Sequence, residues 1–213
     1  MVGISRTVAA ATTLLAGAVS AKSISLTFDE LNISNEQSCG KVELSNTVGY
    51  HGVFPSSAFF ANVEVYNTTA TPACHRNAHD EVGVFDQKRA TSGSNVAYGR
   101  IGSVDFQVSD ANAFLTGDAS LDVSVVFTKA ELANKDNLVT FDTLISDFGA
   151  LDVRKTFSFH TAKDGFGPYH IHAPNTAKYE FFEVEAGVGV AGESSFRHPT
   201  IFVDNVQLET VAN

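Results

Sequence analysis
The sequence contains no tryptophan, one methionine, five prolines and only two cysteines in 213 residues, and its 14 basic side chains are outnumbered by 24 acidic ones. The shortage of basic residues leaves a formal net charge of −10, which repels phosphate backbones and anionic headgroups and so excludes nucleic acid and membrane surfaces as partners. Without tryptophan, a flat aromatic platform on the surface has to come from tyrosine, since the phenylalanines mostly follow strand parity and read as core. No stretch after residue 20 is long and apolar enough to cross a membrane, and residues 207–213 lack the hydrophobic tail of a lipid anchor. Gly-x-Ser-x-Gly, His-Glu-x-x-His and phosphate-cradling glycine loops are absent too. Neither a repeat nor a linker interrupts the chain, which reads as one domain.

What is present begins with a leader. Arg6 precedes an apolar, small-residue stretch from Thr7 to Val19, and Ala18 and Ser20 fit the small positions before a cleavage point. This is the pattern of a secretory signal peptide over 1–20, leaving a single domain over 21–213 in the extracellular space. In an oxidising compartment Cys39 and Cys74 most simply form one disulfide; the rival reading is a metal site built from Cys74, His75 and His79. Sequons at Asn32 and Asn67 fit the same route as glycosylation sites and require exposure.

Apolar and polar residues alternate along most of the remaining chain. Ile24, Leu26 and Phe28, Val63 and Val65, Val104, Phe106 and Val108, and Leu121, Val123, Val125 and Phe127 each mark one face of a half-buried strand. Phe157 and Phe159 and the run Tyr179 to Val184 continue the pattern, and clusters such as Thr91-Ser92-Gly93-Ser94-Asn95 punctuate it. The one helical candidate, Thr128 to Lys135, has capping-box spacing at Thr128 and Glu131 and is a short connector. Roughly ten strands with almost no helix predict an all-β domain, a two-sheet jelly-roll-type β-sandwich.

Two acids break the chemistry of this pattern. In Ile201 to Leu208, Asp204 has the parity of Phe202, Val206 and Leu208, and Glu30 has the parity of Ile24, Leu26 and Phe28. Regular pleating would bury both carboxylates, which is costly without a partner. Either a structural calcium neutralises them, its flexible oxygen coordination suiting the task, or a bulge or strand end releases them.

The same two segments carry a resemblance. Leu26-Thr27-Phe28-Asp29-Glu30-Leu31 and Phe202-Val203-Asp204-Asn205-Val206-Gln207-Leu208 resemble the paired terminal strands of carbohydrate-binding-module-like, galactose-binding-type jelly rolls. They are also similar to a group of uncharacterised secreted fungal and microbial proteins with a Thr-Phe-Asp-Asp-Leu type start. Gly49-Tyr50-His51-Gly52-Val53-Phe54 and Ser92-Gly93-Ser94-Asn95-Val96-Ala97 loosely match two further segments of that group. The resemblance implies a jelly roll that binds extracellular or cell-wall glycan, with a calcium shared by Glu30, or Asp29 in its place, and Asp204.

Candidate ligand contacts follow from the residues beside it. Tyr50 and Tyr169 lie in Gly- and Pro-flanked stretches and could expose a stacking face, while His51, His170 and His172 add directional hydrogen bonds. Tyr169-His170-Ile171-His172 also puts two imidazoles on one face, the spacing of copper and zinc ligands on β scaffolds, although further ligands of such sites are missing. Glu183 and Glu185 share a strand face and read as solvated rather than as a glycosidase pair. Three functions stay open: a non-catalytic glycan-binding module; a polysaccharide-lyase-like enzyme using Tyr169, His170 and Arg197 or Arg100; and an interaction or effector protein with no small ligand.

Overall fold
Alternation becomes a strand where one face can be buried, and here two layers bury each other. A computed structural model describes residues 21–33, 41–45, 47–57, 61–69, 90–146, 153–175, 178–192 and 196–212. The leader over 1–20, Cys39 and Cys74 lie outside the described residues.

The strands are β1 (Lys22–Leu26), β2 (Lys41–Leu44), β3 (Val53–Ser57), β4 (Ala61–Asn67), β5 (Asn95–Gly99), β6 (Ser103–Val108) and β7 (Ala113–Val125). Then follow β8 (Asn137–Ser146), β9 (Val153–His160), β10 (Tyr169–Ala173), β11 (Phe181–Val190), β12 (Phe196–Arg197) and β13 (Ile201–Ala212). Layer one runs β10-β7-β13-β5-β4, with β1 added on β13 and β2 on β4; layer two runs β3-β6-β11-β8-β9, with β12 on β11. Pairing is antiparallel, and β4 also pairs β3, which joins the two layers. The domain is an all-β sandwich, as the alternation predicts. The described residues form 13 strands rather than roughly ten, because short edge strands such as the two-residue β12 carry no readable alternation.

The core lies between the layers. Val104, Phe106, Phe182 and Val184 of layer two meet Leu121, Val123, Ile201 and Val206 of layer one in a single apolar cluster. Burying each such side chain contributes about 1.5–3 kcal/mol relative to exposure. The connector after β7 is a helix, α1 (Lys129–Ala133), and both halves of its capping box form: Glu131 N donates to Thr128 Oγ1 at 3.2 Å and Thr128 N to Glu131 Oε2 at 2.7 Å. A single turn, α2 (Thr161–Asp164), follows β9. Among the described residues no helix is long and apolar enough to cross a membrane.

The last strand changes phase. Ile201 and Val203 enter the core before Asn205, and Val206 and Leu208 enter it afterwards. Asn205 has φ 50, and the pairing of β13 with β7 shifts register between Asp204 and Gln207. An extra residue in a bulge reverses parity. Asp204 therefore sits on the outer face, in step with Phe202, which packs with Val96 and Val126 rather than in the main core.

Candidate functional site
β10 places the two histidines. Its burial alternates, so Tyr169 and Ile171 enter the core while His170 and His172 stand exposed together on the outer face. Each imidazole takes its own carboxylate from β7. His170 Nδ1 lies 2.8 Å from Asp122 Oδ1, and His172 Nε2 lies 3.2 Å from Asp118 Oδ2. Asp122 Oδ2 accepts from Asn205 Nδ2 at 3.2 Å, and Gln207 Nε2 donates to Asn205 Oδ1 at 3.2 Å and to Ser25 Oγ at 2.9 Å. A belt of polar side chains thus crosses β10, β7, β13 and β1. Burial works to raise the Asp122 carboxyl, but donors from Thr91, His170 and Asn205 outweigh it and hold the group below the usual carboxylate range.

Tyr169 does not join this belt. It is 3% exposed, its ring lies 4.9 Å from that of Phe159, and its hydroxyl donates to Gly165 O at 2.8 Å. The Gly- and Pro-flanked stretch that reads as an open loop is the start of a strand, and strand parity turns the phenol inward. The ligand-binding assignment of Tyr169 is corrected accordingly.

The second cluster forms where the chain enters β3. Tyr50 stacks on Phe28 with ring centroids 5.7 Å apart, and its hydroxyl donates to Glu30 Oε1. His51 Nε2 meets the same oxygen at 2.7 Å. Burial works to raise Glu30, yet the Tyr50 and His51 contacts hold its carboxyl below the usual range. Burial and the neighbouring Glu30 charge push the Tyr50 phenol far up. Tyr50 is half-buried with one face already covered, so the exposed groups here are His51 and Glu30.

The segment Thr91 to Asn95 ties the two clusters together. Asp204 is 1% exposed, yet its carboxylate accepts from Thr91 N at 2.7 Å, Ser92 N at 2.8 Å, Ser92 Oγ at 2.8 Å and Asn205 N at 2.7 Å. Further along, Asp29 Oδ1 accepts from Ser94 N at 2.9 Å and Asn95 N at 3.1 Å. Gly93 has φ +41, and a Cβ there would lie 2.2 Å from the Asp29 carboxylate, so only glycine fits.

These contacts answer the calcium expectation. Glu30 and Asp204 take separate partners, and both oxygens of Asp204 face N–H or O–H donors, which stabilise an anion and leave little room for a cation. Among the described residues no group of three or more His, Cys, Asp or Glu is placed to hold a metal. The shared site at Glu30 and Asp204 does not fit; the bulge and the 91–95 segment account for Asp204, and Tyr50 and His51 account for Glu30.

The Arg197 form of the lyase arrangement is not assembled among the described residues. Arg197 forms two 2.6 Å contacts with Glu131 and donates to Val126 O at 2.7 Å, while His170 and Tyr169 serve the partners given above. The Arg100 side chain lies outside the described residues. Of the two sequons, Asn32 is exposed and Asn67 is half-buried, its Oδ1 accepting from Thr69 N at 2.9 Å.

Sequence reasoning missed a patch on the outer face of layer two. Glu183 pairs across the ladders with Asp105 and Leu144, and Glu185 with Ser103 and Asp142, so four carboxylates adjoin. Asp105 is 5% exposed; Ser56 Oγ donates to its Oδ2 at 2.7 Å, and its Oδ1 has no hydrogen-bond partner. Burial, offset in part by the Ser56 hydroxyl and reinforced by the Glu183 charge, pushes Asp105 up to about 6. Parity marks each acid as outward-facing, but only the register shows that they meet.

No family model and no curated protein matches the chain. Solved structures do align with it. A family 29 carbohydrate binding module in complex with mannohexaose is 12% identical with a TM-score of 0.36, covering 90% of this chain and 93% of that one. A second carbohydrate-binding neighbour, TmCBM61 in complex with beta-1,4-galactotriose, is 13% identical with a TM-score of 0.35, covering 73% of this chain and 86% of that one. A DUF4465 family protein from Bacteroides ovatus is 8% identical with a TM-score of 0.44, covering 89% of this chain and 99% of that one.

Proposed function
We propose that this protein is a secreted, non-catalytic module that binds extracellular carbohydrate through the polar belt on the outer face of layer one. The observation that carries the reading is the pair of exposed imidazoles on β10, each oriented by a carboxylate of β7. An oriented imidazole keeps one ring nitrogen and a ring face for a ligand, and Asn205 and Gln207 beside it supply amide donors and acceptors. Hydroxyl-rich ligands suit such a surface, because a sugar both donates and accepts. His51 and Glu30 extend it beyond the 91–95 segment.

The test is a panel of plant, fungal and bacterial polysaccharides screened by affinity electrophoresis and, in parallel, for depolymerisation. Retardation by a glycan, weakened about tenfold by His170→Ala with His172→Ala at an unchanged melting temperature, is the expected outcome. Depolymerisation, or retardation indifferent to both substitutions, overturns the reading.

A further inference from the structure
The two imidazoles of the belt use opposite ring nitrogens. His170 is tied through Nδ1 to Asp122, and His172 through Nε2 to Asp118. A carboxylate only accepts, so each bonded nitrogen carries the hydrogen. A neutral ring then presents its other nitrogen, Nε2 of His170 and Nδ1 of His172, as an acceptor, because the bonded partner fixes the tautomer. Two acceptors therefore stand two residues apart on one strand, about 7 Å along it. Next to them a row of side chains crosses four strands in register: His172 on β10, Ser120 on β7, Gln207 on β13 and Ser25 on β1. His172, Gln207 and Ser25 are exposed, and Ser120 is half-buried on the floor between them. The two serines add hydroxyls and Gln207 an amide, so the row past His172 is uncharged.

Charge on these strands has one permanent sign. β10, β7 and β13 carry Asp118, Asp122, Asp204 and Glu209, and no lysine or arginine. β1 adds Lys22 at its far end, opposite Thr210. Of the four acids, Asp204 is filled by N–H and O–H donors of the 91–95 segment, and Asp118 and Asp122 are turned to the histidines.

We propose that the belt selects uncharged glycans, recognised as hydroxyl donors, and rejects chains that bear carboxylate or sulfate groups. The proposal rests on the carbohydrate reading above and names the class of chain within it. A sugar hydroxyl donates to Nε2 of His170 or Nδ1 of His172 and can accept from Gln207 or a serine. A uronate or sulfate oxygen only accepts. It would face two acceptor nitrogens backed by the charges of Asp118 and Asp122, with no lysine or arginine beside it, and like charges brought together cost affinity. A cationic chain gains little in exchange, since three of the four carboxylates already have their partners.

The experiment titrates the whole protein at pH 8 by calorimetry with matched short oligosaccharides. The neutral members are β-linked oligomers of glucose, mannose and galactose. Each is paired with its uronate, in which the hydroxymethyl group is a carboxylate, and with its O-methylated form, which has lost its donors; a glucosamine oligomer supplies the cationic case. Expected are binding of at least one neutral oligomer, binding of its uronate weaker by about tenfold or more with a deficit that narrows at high salt, and loss of binding on O-methylation. Ser25→Lys, which sets an ammonium in the row at an exposed position, should strengthen uronate binding at an unchanged melting temperature. A uronate or glucosamine oligomer that binds as tightly as the neutral one, an O-methylated oligomer that keeps its affinity, or uronate binding unmoved by Ser25→Lys overturns this proposal and leaves the carbohydrate reading standing. No binding by any neutral oligomer overturns it as well, and the polysaccharide screen then decides the carbohydrate reading separately.

Discussion

Asp105 and Glu183 face each other across the ladder between β6 and β11, with Asp105 Oδ1 buried and without a donor. A carboxyl group raised from its ordinary value to about 6 binds its proton more tightly in the folded chain than in the unfolded one. Its contribution to stability is therefore greatest below the unfolded value and is lost as pH rises towards and through about 6. A shift of this size corresponds to about 3 kcal/mol, an order-of-magnitude figure. Asp105→Asn keeps an acceptor for Ser56 and offers an N–H to Glu183. Urea midpoints measured from pH 4 to 8 should fall across this window in the natural protein and stay flat in Asp105→Asn, which should be the more stable at pH 8. Parallel curves for the two proteins would refute the assignment.

The carboxylate of Asp204 is held by the 91–95 segment, so its replacement should loosen that segment as well as the last strand. Asp204→Asn turns one acceptor into a donor facing other donors and should cost about 1–3 kcal/mol. Because N–H and O–H groups already surround the carboxylate, thermal melting of the natural protein should be the same in chelator and in calcium. A melting temperature that falls on chelation would restore the cation account of this acid.

Most of the fold was legible because a strand that buries one face writes its period into the chain. Phe106 and Phe182 entered the core as alternation required, and Thr128 with Glu131 marked the cap of α1 from their spacing alone. What escaped were local departures from the period. Asn205 at φ 50 and Phe28 at φ 62 are left-handed residues that no side-chain pattern announces, and each ends the phase of a terminal strand. Asp204 was thus rightly expected to be buried but on the wrong face, and Glu30 was set free. Tyr169 was misread for the opposite reason: flanking Gly167 and Pro168 suggested a loop where a strand begins. The histidines at 170 and 172 were readable as a pair because two residues of a strand share a face, whereas their partners Asp118 and Asp122 depend on a register that only the folded sheet defines.

Arg197 connects the short edge strand β12 to α1 through two contacts with Glu131 at 2.6 Å. Burial tends to raise the Glu131 carboxyl, but Arg197 and the Thr128 contacts outweigh it and hold the group below its ordinary 4.5. Its stabilisation is therefore present above that ordinary value and is lost as pH falls through the depressed one. Arg197→Lys cannot keep the paired geometry and should cost about 1 kcal/mol, Arg197→Ala about 2 kcal/mol, both part-exposed values. Chemical denaturation at pH 7 checks this; equal stability of the lysine variant would show that the fork geometry contributes nothing.

Asp122 acts on the proposed glycan surface through His170 rather than by touching the ligand itself. Its Oδ1 fixes one ring nitrogen of His170 at 2.8 Å, and its Oδ2 receives Asn205 at 3.2 Å, so one carboxylate orients two groups of the belt. Asp122→Asn keeps the shape but removes the charge and offers only one acceptor to these two partners. Glycan affinity should fall about threefold to tenfold. Asp122→Glu, which restores the charge on a longer arm, should recover part of the affinity. A purely structural residue would instead lower the melting temperature and leave the affinity of the folded protein unchanged. Equal glycan affinity of Asp122→Asn and the natural protein would remove Asp122 from the site.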